Sequence, residues 1–307
     1  MTRWGPVAAV VLLALTAGCG GSTEPAARPS GTTAASGTAR QPSAAAPATV
    51  GKLVVVVVEN HSLEEMRAEM PFLEGLGNTY GRTTDYHAVA HPSLPNYLAM
   101  TGGSTYGVTD DDYPSAHPVQ EPSVFGQALS DGRTAKVYAD AMTEPCETES
   151  AGRYAVKHNP WTYHVAERDQ CTQYDVPLDA LAADVTDGRL PDVGMVVPDM
   201  CNDAHDCPLS TADAWLKDEV GLLMSGPDWR SGRLAVVVTA DEDDYTQDNL
   251  ILTVVAHPSL HGVTVTEPLD HYSLARAYSE VAGGQPMGEA ASAPSLLSAF
   301  GLEARGG

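Results

Sequence analysis

Lys52-Leu-Val-Val-Val-Val-Val58 carries five consecutive valines and no polar residue after its lysine. A half-exposed strand would alternate, and an amphipathic helix would break the run every third or fourth residue. A run of this kind suits a strand buried on both faces, the environment of a parallel sheet covered by helices. Ala135–Tyr138, Val193–Val197, Leu234–Thr239 and Leu250–Val255 read as further strands. Helical patterns lie between or after them at Leu63–Met70, Leu94–Thr101, Val124–Leu129, Leu178–Val185, Ala212–Met224, Tyr272–Val281 and Pro294–Phe300. Ser210 with Asp213 three residues later resembles a capping box for the Ala212 helix. Strand–helix alternation predicts an α/β fold, a doubly wound, mostly parallel sheet with helices on both faces. No segment of 20–50 residues repeats, and no linker follows residue 50, so residues 51–307 read as one domain.

The first fifty residues differ in kind. Arg3 precedes an apolar run, Val7 to Leu15, which ends at Leu15-Thr-Ala-Gly-Cys19. That run is too short to span a bilayer, and its flanks read as a secretory signal. The Ala-Gly-Cys ending resembles a bacterial lipoprotein signal, in which Cys19 is lipidated after cleavage. Thr16 departs from that pattern, because Leu is usual three places before the cysteine; ordinary secretion is the alternative. Residues 20–50 are Ser, Thr, Ala, Gly and Pro with almost no large apolar side chains. They read as a disordered spacer.

Charge and cysteine usage narrow the function classes. The chain carries 40 acids against 17 bases, a formal net charge of −23. Residues 1–50 hold three arginines and one glutamate, so the remainder has 39 acids and 14 bases. Such a body repels nucleic acid, and no basic patch offers itself; a membrane is reached through the lipid anchor only. Four cysteines remain after Cys19, and an even number in an exported domain suggests two disulfides. Three pairings are open, and proximity favours Cys146–Cys171 and Cys201–Cys207. Without a C-x₂-C pair, a structural zinc site is the weaker reading.

Sites in doubly wound sheets form at the carboxyl ends of strands. The first strand ends in Glu59-Asn60-His61-Ser62, and Val193–Val197 runs into Cys201-Asn-Asp203-Ala-His205-Asp206-Cys207. Leu234–Thr239 is followed by Asp241-Glu242-Asp243-Asp244. Glu59, Asn60, Asp241 and Glu242 offer only oxygen ligands, a set suited to one hard divalent cation. Asp243 and Asp244 read as solvated. His91-Pro-Ser93-Leu-Pro-Asn96-Tyr97 opens a helix, so Ser93 lies at or just before its first turn. Position alone makes Ser93 an N-cap; a neighbouring cation would make it an activated nucleophile. No G-x-S-x-G elbow is present, which counts against an ordinary esterase.

Glu59-Asn-His-Ser62, His91-Pro-Ser-Leu-Pro-Asn-Tyr97, Cys201-Asn-Asp-Ala-His-Asp-Cys207, Thr239-Ala-Asp-Glu-Asp243 and Asp270-His-Tyr-Ser-Leu-Ala-Arg276 occur in that order. This series resembles the bacterial phosphoesterase family of acid phosphatases and phospholipases C, within the alkaline-phosphatase-like superfamily, over about residues 50–302. The sequence is also similar to actinobacterial secreted acid phosphatases, including those acting on phosphatidylinositol 3-phosphate. The resemblance implies that Glu59, Asn60, Asp241 and Glu242, with Ser93, hold a metal. It implies Ser93 as nucleophile and Asn96 as a contact to the phosphoryl oxygens. It gives His271 and His205 as leaving-group donors or phosphate ligands, with His271 as a packing histidine in the alternative. Asp203 matches a further motif position, His205 is also a candidate ligand for a second metal, and Asp206 an orienting partner for His205. His91 and His158 fall in further family-like stretches.

The expected chemistry is hydrolysis of phosphate monoesters, phosphoinositides included, through a phosphoserine, by an exported metal-dependent acid phosphatase. A histidine donor near its ordinary pKa of about 6.5 would favour an acid optimum. The rivals are a phosphodiesterase of phospholipase C type and a surface lipoprotein that binds a solute or cation without turnover.

Overall fold

A computed structural model describes residues 47–305. The expected signal segment, Cys19 and the spacer as far as residue 46 lie outside the described residues. Residues 48–50, expected to belong to that spacer, instead form a strand, Ala48–Val50, paired in parallel with Leu302–Ala304. Val50 is buried there, an apolar anchor at the edge of an otherwise polar segment.

The valine run is the strand Lys52–Val58, and every side chain from Leu53 to Val58 is fully buried. Each such valine contributes about 2 kcal/mol through burial. The strand sits in an eight-stranded sheet ordered Val263–Val265, Gly81–Thr83, Val254–Ala256, Leu234–Ala240, Lys52–Val58, Val193–Val197, Ala135–Ala139, Asp175–Pro177. All neighbours are parallel except Val254–Ala256, which is antiparallel to both of its own. The result is a mostly parallel α/β sheet with helices packed against it, wound outward in both directions from Lys52–Val58. Among the described residues no helix is long and apolar enough to cross a membrane.

Three expectations need correction. Leu250–Val255 is not one strand: only Val254–Ala256 is, and Ile251 to Thr253 are a buried irregular segment. Its bonds are irregular, with Ile251 N–H donating to the Tyr86 carbonyl, Thr83 N–H to that of Thr253, and the Thr253 hydroxyl meeting that of Thr239 (2.7 Å). An apolar run cannot distinguish such a segment from a paired strand. The strands Gly81–Thr83, Asp175–Pro177 and Val263–Val265 escaped notice because three residues show no period.

The helix expected from Ala212 begins earlier, at Leu209, and runs to Ser225. Ser210 and Asp213 do not cap it. Pro208 precedes its first turn without any side-chain cap. Asp213 instead accepts from the N–H groups of Phe72 (2.9 Å) and Leu73 (3.0 Å). It caps a different helix, Pro71–Thr79, whose own preceding residue, Met70, has no side chain able to do so.

Both expected disulfides are present. Cys146 and Cys171 close a loop across 25 positions, and Cys201 and Cys207 one across 6.

Asp213→Ala strands two helix-start donors, one of them buried, and is expected to cost about 2 kcal/mol. Urea denaturation should show a lower midpoint with an unchanged slope; an unchanged midpoint would show that the Pro71–Thr79 helix needs no cap from its neighbour.

Candidate active site

The register of the central strands assembles the site. Val58 pairs with Ala240, so Glu59 and Asp241 emerge side by side from adjacent parallel strands. Asp241 N–H donates to the Val58 carbonyl (3.0 Å). On the other flank, Glu59 N–H donates to the Asp203 carbonyl (2.8 Å), which ties in the loop after Val193–Val197. Asn60 turns into the left-handed region at φ 52°, which asparagine tolerates better than most residues. That turn aims its N–H at Asp241 Oδ1 (3.0 Å).

Ser93 is the first residue of the helix Ser93–Gly102 and is 1% exposed. Its hydroxyl does not cap that helix. It donates to Glu59 Oε2 (3.2 Å), which also lies 3.1 Å from His158 Nε2. Tyr97, one turn along the helix, donates its hydroxyl to Glu59 Oε1. His158 stacks on Tyr97 and reaches Asp203 Oδ2 with its other nitrogen (3.2 Å). Both His158 contacts are close charge pairs with poor hydrogen-bond angles. Glu59, His158 and Asp203 place ligand-type atoms within 4.8 Å of one another. His205 lies behind, its ring 5.9 Å from that of His158 and its Nδ1 2.9 Å from Asp206 Oδ1.

The charges are severely desolvated. Burial pushes the Glu59 carboxyl up, but the His158 imidazolium, with hydrogen bonds from His158 and Tyr97 and the charge of Lys157, outweighs it and holds Glu59 below its ordinary value. Burial opposes the charged form of His158, yet Glu59 and Asp203 raise it to about 10. Asp203 is raised, by burial first. Asp241 is pushed well above the carboxylate range by burial, Glu59 and Glu242, and Glu242 is raised to about 8 by burial, Glu59 and Asp111.

Of the expected oxygen ligands, Glu59, Asn60, Asp241 and Ser93 gather at the strand ends. Glu242 turns to His91, with Oε2 2.9 Å from Nδ1. Two buried atoms of this set, Asn60 Oδ1 and Asp241 Oδ2, have no hydrogen-bond partner. Unpartnered buried oxygens beside like charges are what a cation would satisfy, so these residues fit a hard divalent ion.

Several expected roles change. Asn96 is committed to backbone: its Oδ1 accepts from Val89 and Ala90 N–H (3.0 Å each) and its Nδ2 donates to the Ala90 carbonyl (2.9 Å). It pins the loop that carries His91 and leaves no donor directed at substrate beyond a long contact to Glu242 Oε2 (3.4 Å). His271 is buried, with Nε2 2.6 Å from the Asp241 carbonyl and Nδ1 3.3 Å from the Tyr86 hydroxyl. Burial disfavours its charged form and lowers it to about 4. Asp243 is not solvated: it is buried, accepts from the N–H groups of Tyr245 and Gln247, and lies 3.2 Å from His91 Nε2.

Sequence reasoning missed Tyr97, Asp111 and Lys157. Tyr97 was legible as one helical turn past Ser93, on the same face. Asp111 Oδ1 accepts from Leu94 N–H (2.9 Å), and its Oδ2 meets Lys157 Nζ (2.9 Å). No local spacing announces that link across 46 positions.

The chain matches the Phosphoesterase family over residues 65–277. It is 32% identical over 257 residues to the phosphatidylinositol-3-phosphatase of Mycobacterium tuberculosis, covering 82% of this chain and 84% of that one. It is 26% identical over 203 residues to a probable acid phosphatase of Kluyveromyces lactis, covering 62% of this chain but only 48% of that one. Among solved structures it superposes on an alkaline phosphatase superfamily protein from Vibrio parahaemolyticus with a TM-score of 0.51 at 12% identity, over 83% of this chain and 74% of that one. It superposes on the lipoteichoic acid synthase LtaP from Listeria monocytogenes with a TM-score of 0.53 at 11% identity, over 77% and 73%. These two likenesses establish the fold.

With Glu242 raised to about 8 and Asp241 well above the carboxylate range, both carboxyls favour protonation near neutral pH in the absence of a cation. A cation must displace those protons, so apparent affinity should rise with pH towards 8. Calorimetric titration with Mn²⁺ at about pH 6.5 in two buffers of different ionisation enthalpy should show proton release; identical enthalpies would contradict it.

Proposed function

The chain belongs to the Phosphoesterase family and is a hydrolase of phosphate ester bonds, and on that premise we propose that it is an exported, metal-dependent acid phosphatase acting on monoesters through a phosphoserine at Ser93. The observation that carries the reading is a buried serine hydroxyl, at the start of a helix, donating to a carboxylate held in its charged form. A merely capping serine would have turned its oxygen to its own helix.

Ser93 Oγ attacks phosphorus in line and gives its proton towards Glu59 Oε2. His158 and Tyr97 keep that carboxylate charged and oriented until then. The bond from phosphorus to the ester oxygen breaks, and the departing oxygen takes a proton from His205, a half-exposed imidazole whose ring lies 5.9 Å from that of His158. Water then attacks the phosphoserine, His205 accepts its proton, and Ser93 recovers its own. When bound, a divalent cation held by Glu59, Asn60, Asp241 and Ser93, with Glu242 in reach, lowers the cost of ionising the serine and offsets charge on the phosphoryl oxygens. Its identity is left to experiment, as is a second ion at His158, Asp203 and His205.

Two disulfides support an oxidising compartment. The Arg3–Cys19 segment supports export as a surface lipoprotein or as a secreted protein. The name of the Mycobacterium relative makes phosphatidylinositol 3-phosphate the first lipid to try.

Ser93→Ala should lower hydrolysis of p-nitrophenyl phosphate by at least about a thousandfold. It should leave a cation-dependent rise in Tm, and a chelator should silence the wild type. Unchanged activity in the variant would remove Ser93 from the mechanism. Turnover of phosphatidylcholine in preference to monoesters would make the protein a phospholipase C.

A further inference from the structure

The first turn of the helix Ser93–Gly102, with the residue before it, reads Pro92-Ser93-Leu94-Pro95. A helix start leaves four N–H groups without intrahelical partners, and the two prolines here remove two of them. Only the N–H groups of Ser93 and Leu94 remain. Leu94 N–H donates to Asp111 Oδ1 (2.9 Å), on a loop 17 positions further along the chain. That loop is fixed from its other side, where the Asp112 carbonyl accepts from the Tyr163 hydroxyl (3.0 Å). The remaining donor belongs to Ser93 itself, and a serine hydroxyl caps donors two or three residues ahead, not its own. Nothing in this turn therefore claims Ser93 Oγ, which donates to Glu59 and keeps its lone pairs free. A hydroxyl that accepts from a backbone N–H has part of that electron density committed, whereas a nucleophile needs it directed at phosphorus.

Asp111 has a second partner. Its Oδ2 meets Lys157 Nζ (2.9 Å), 46 positions away. Lys157 belongs to the short turn Val156–His158, which presents His158 to Glu59 and stacks it on Tyr97. The helix and the turn are thus joined at two places. One is Glu59, through Ser93, Tyr97 and His158; the other is the pair of Asp111 and Lys157. Both side chains of that pair are partly buried, so solvent screens their charge only in part. An unpaired carboxylate bonded to the residue after Ser93 would repel an anionic phosphoryl group arriving there. Lys157 offsets that repulsion, and an uncharged acceptor on Leu94 N–H would need no offset.

We propose that Asp111 and Lys157 are a positioning pair: Asp111 caps the serine's helix from outside it, so that Ser93 Oγ stays free to attack, and Lys157 cancels the charge that this cap brings towards an anionic substrate. The pair rests on the phosphatase reading above. It acts through Ser93 and the field around it, not on the reacting atoms.

The test is steady-state hydrolysis of p-nitrophenyl phosphate by the full chain, with Tm measured for each variant. Asp111→Asn keeps an acceptor for Leu94 N–H and should hold kcat within about threefold of wild type. Asp111→Ala should lower kcat by about ten- to a hundredfold with KM little changed. Lys157→Met should raise KM by about three- to tenfold, and about 0.5 M salt should narrow that gap. Asp111→Asn added to Lys157→Met should bring KM back to near the wild-type value, a recovery that a merely structural ion pair would not give. Equal kcat in Asp111→Asn and Asp111→Ala would overturn the external cap. A KM that stays high in the double variant would make Lys157 a direct phosphate ligand and overturn the pair. The Lys157 variants keep an acceptor at position 111, so they decide the matter even where Asp111→Ala does not fold. Activity surviving in Ser93→Ala would remove the phosphatase reading at Ser93 and this pair together. An inactive Ser93→Ala beside an Asp111→Ala of wild-type kcat would remove the pair alone.

Discussion

Glu59 and Asp241 are forced together by backbone pairing. Their strands are adjacent, parallel and in register at Val58 and Ala240, so two carboxylates leave the sheet at one level and both are fully buried. Water cannot screen them there, and like charges at that spacing cannot both persist uncompensated. Most of the groups around them answer that problem. His158 pairs with Glu59, Asn60 N–H donates to the Asp241 carboxylate, and two oxygens, Asn60 Oδ1 and Asp241 Oδ2, stay unpartnered at the same point. Protonation relieves such crowding, as the raised Asp241 and Glu242 show, and the unpartnered oxygens fit a cation that would do the same.

The same constraint orders the reactive groups. The carboxylate that Ser93 addresses is favoured in its charged form by His158, while burial and neighbouring carboxylates disfavour charge on Asp241, a strand away. Environment pushes neighbouring carboxylates in opposite directions, one ready to accept a proton and one inclined to hold it. Asn96 and His271 support this at one remove, by fixing the His91 loop and the Asp241 backbone. The helix Ser93–Gly102 can deliver its first residue to the strand ends because Gly103 closes it at φ 69°, where a side chain would strike the Met287 carbonyl oxygen.

Much of this was legible in sequence because the signals were local. Five valines in a row admit few environments, and residues just past the buried strands lie near the carboxyl edge by topology. Glu59 and Asp241 could be named on those grounds, whereas Ser93 by position alone read as an N-cap and took its role from the resemblance. Asp213 misled because its spacing to Ser210 fits a capping box, while its real partners are Phe72 and Leu73, some 140 positions away. Asp243 misled because an acid run reads as solvated; backbone donors from Tyr245 and Gln247 make its burial tolerable. Lys157 carried no signal at all, although it is one of only 14 bases after residue 50.

The sequence by itself determined the α/β class, the central strand, the two disulfide partnerships by proximity, and which residue types stand at the strand ends, because each depends on short-range pattern and on the rules of parallel sheets. Tertiary structure decided the rest. It set which carboxylate meets the serine, which histidine lies between two carboxylates, and which packs against the Asp241 backbone. Those outcomes depend on distances and desolvation between segments far apart in the chain, and no local spacing encodes either.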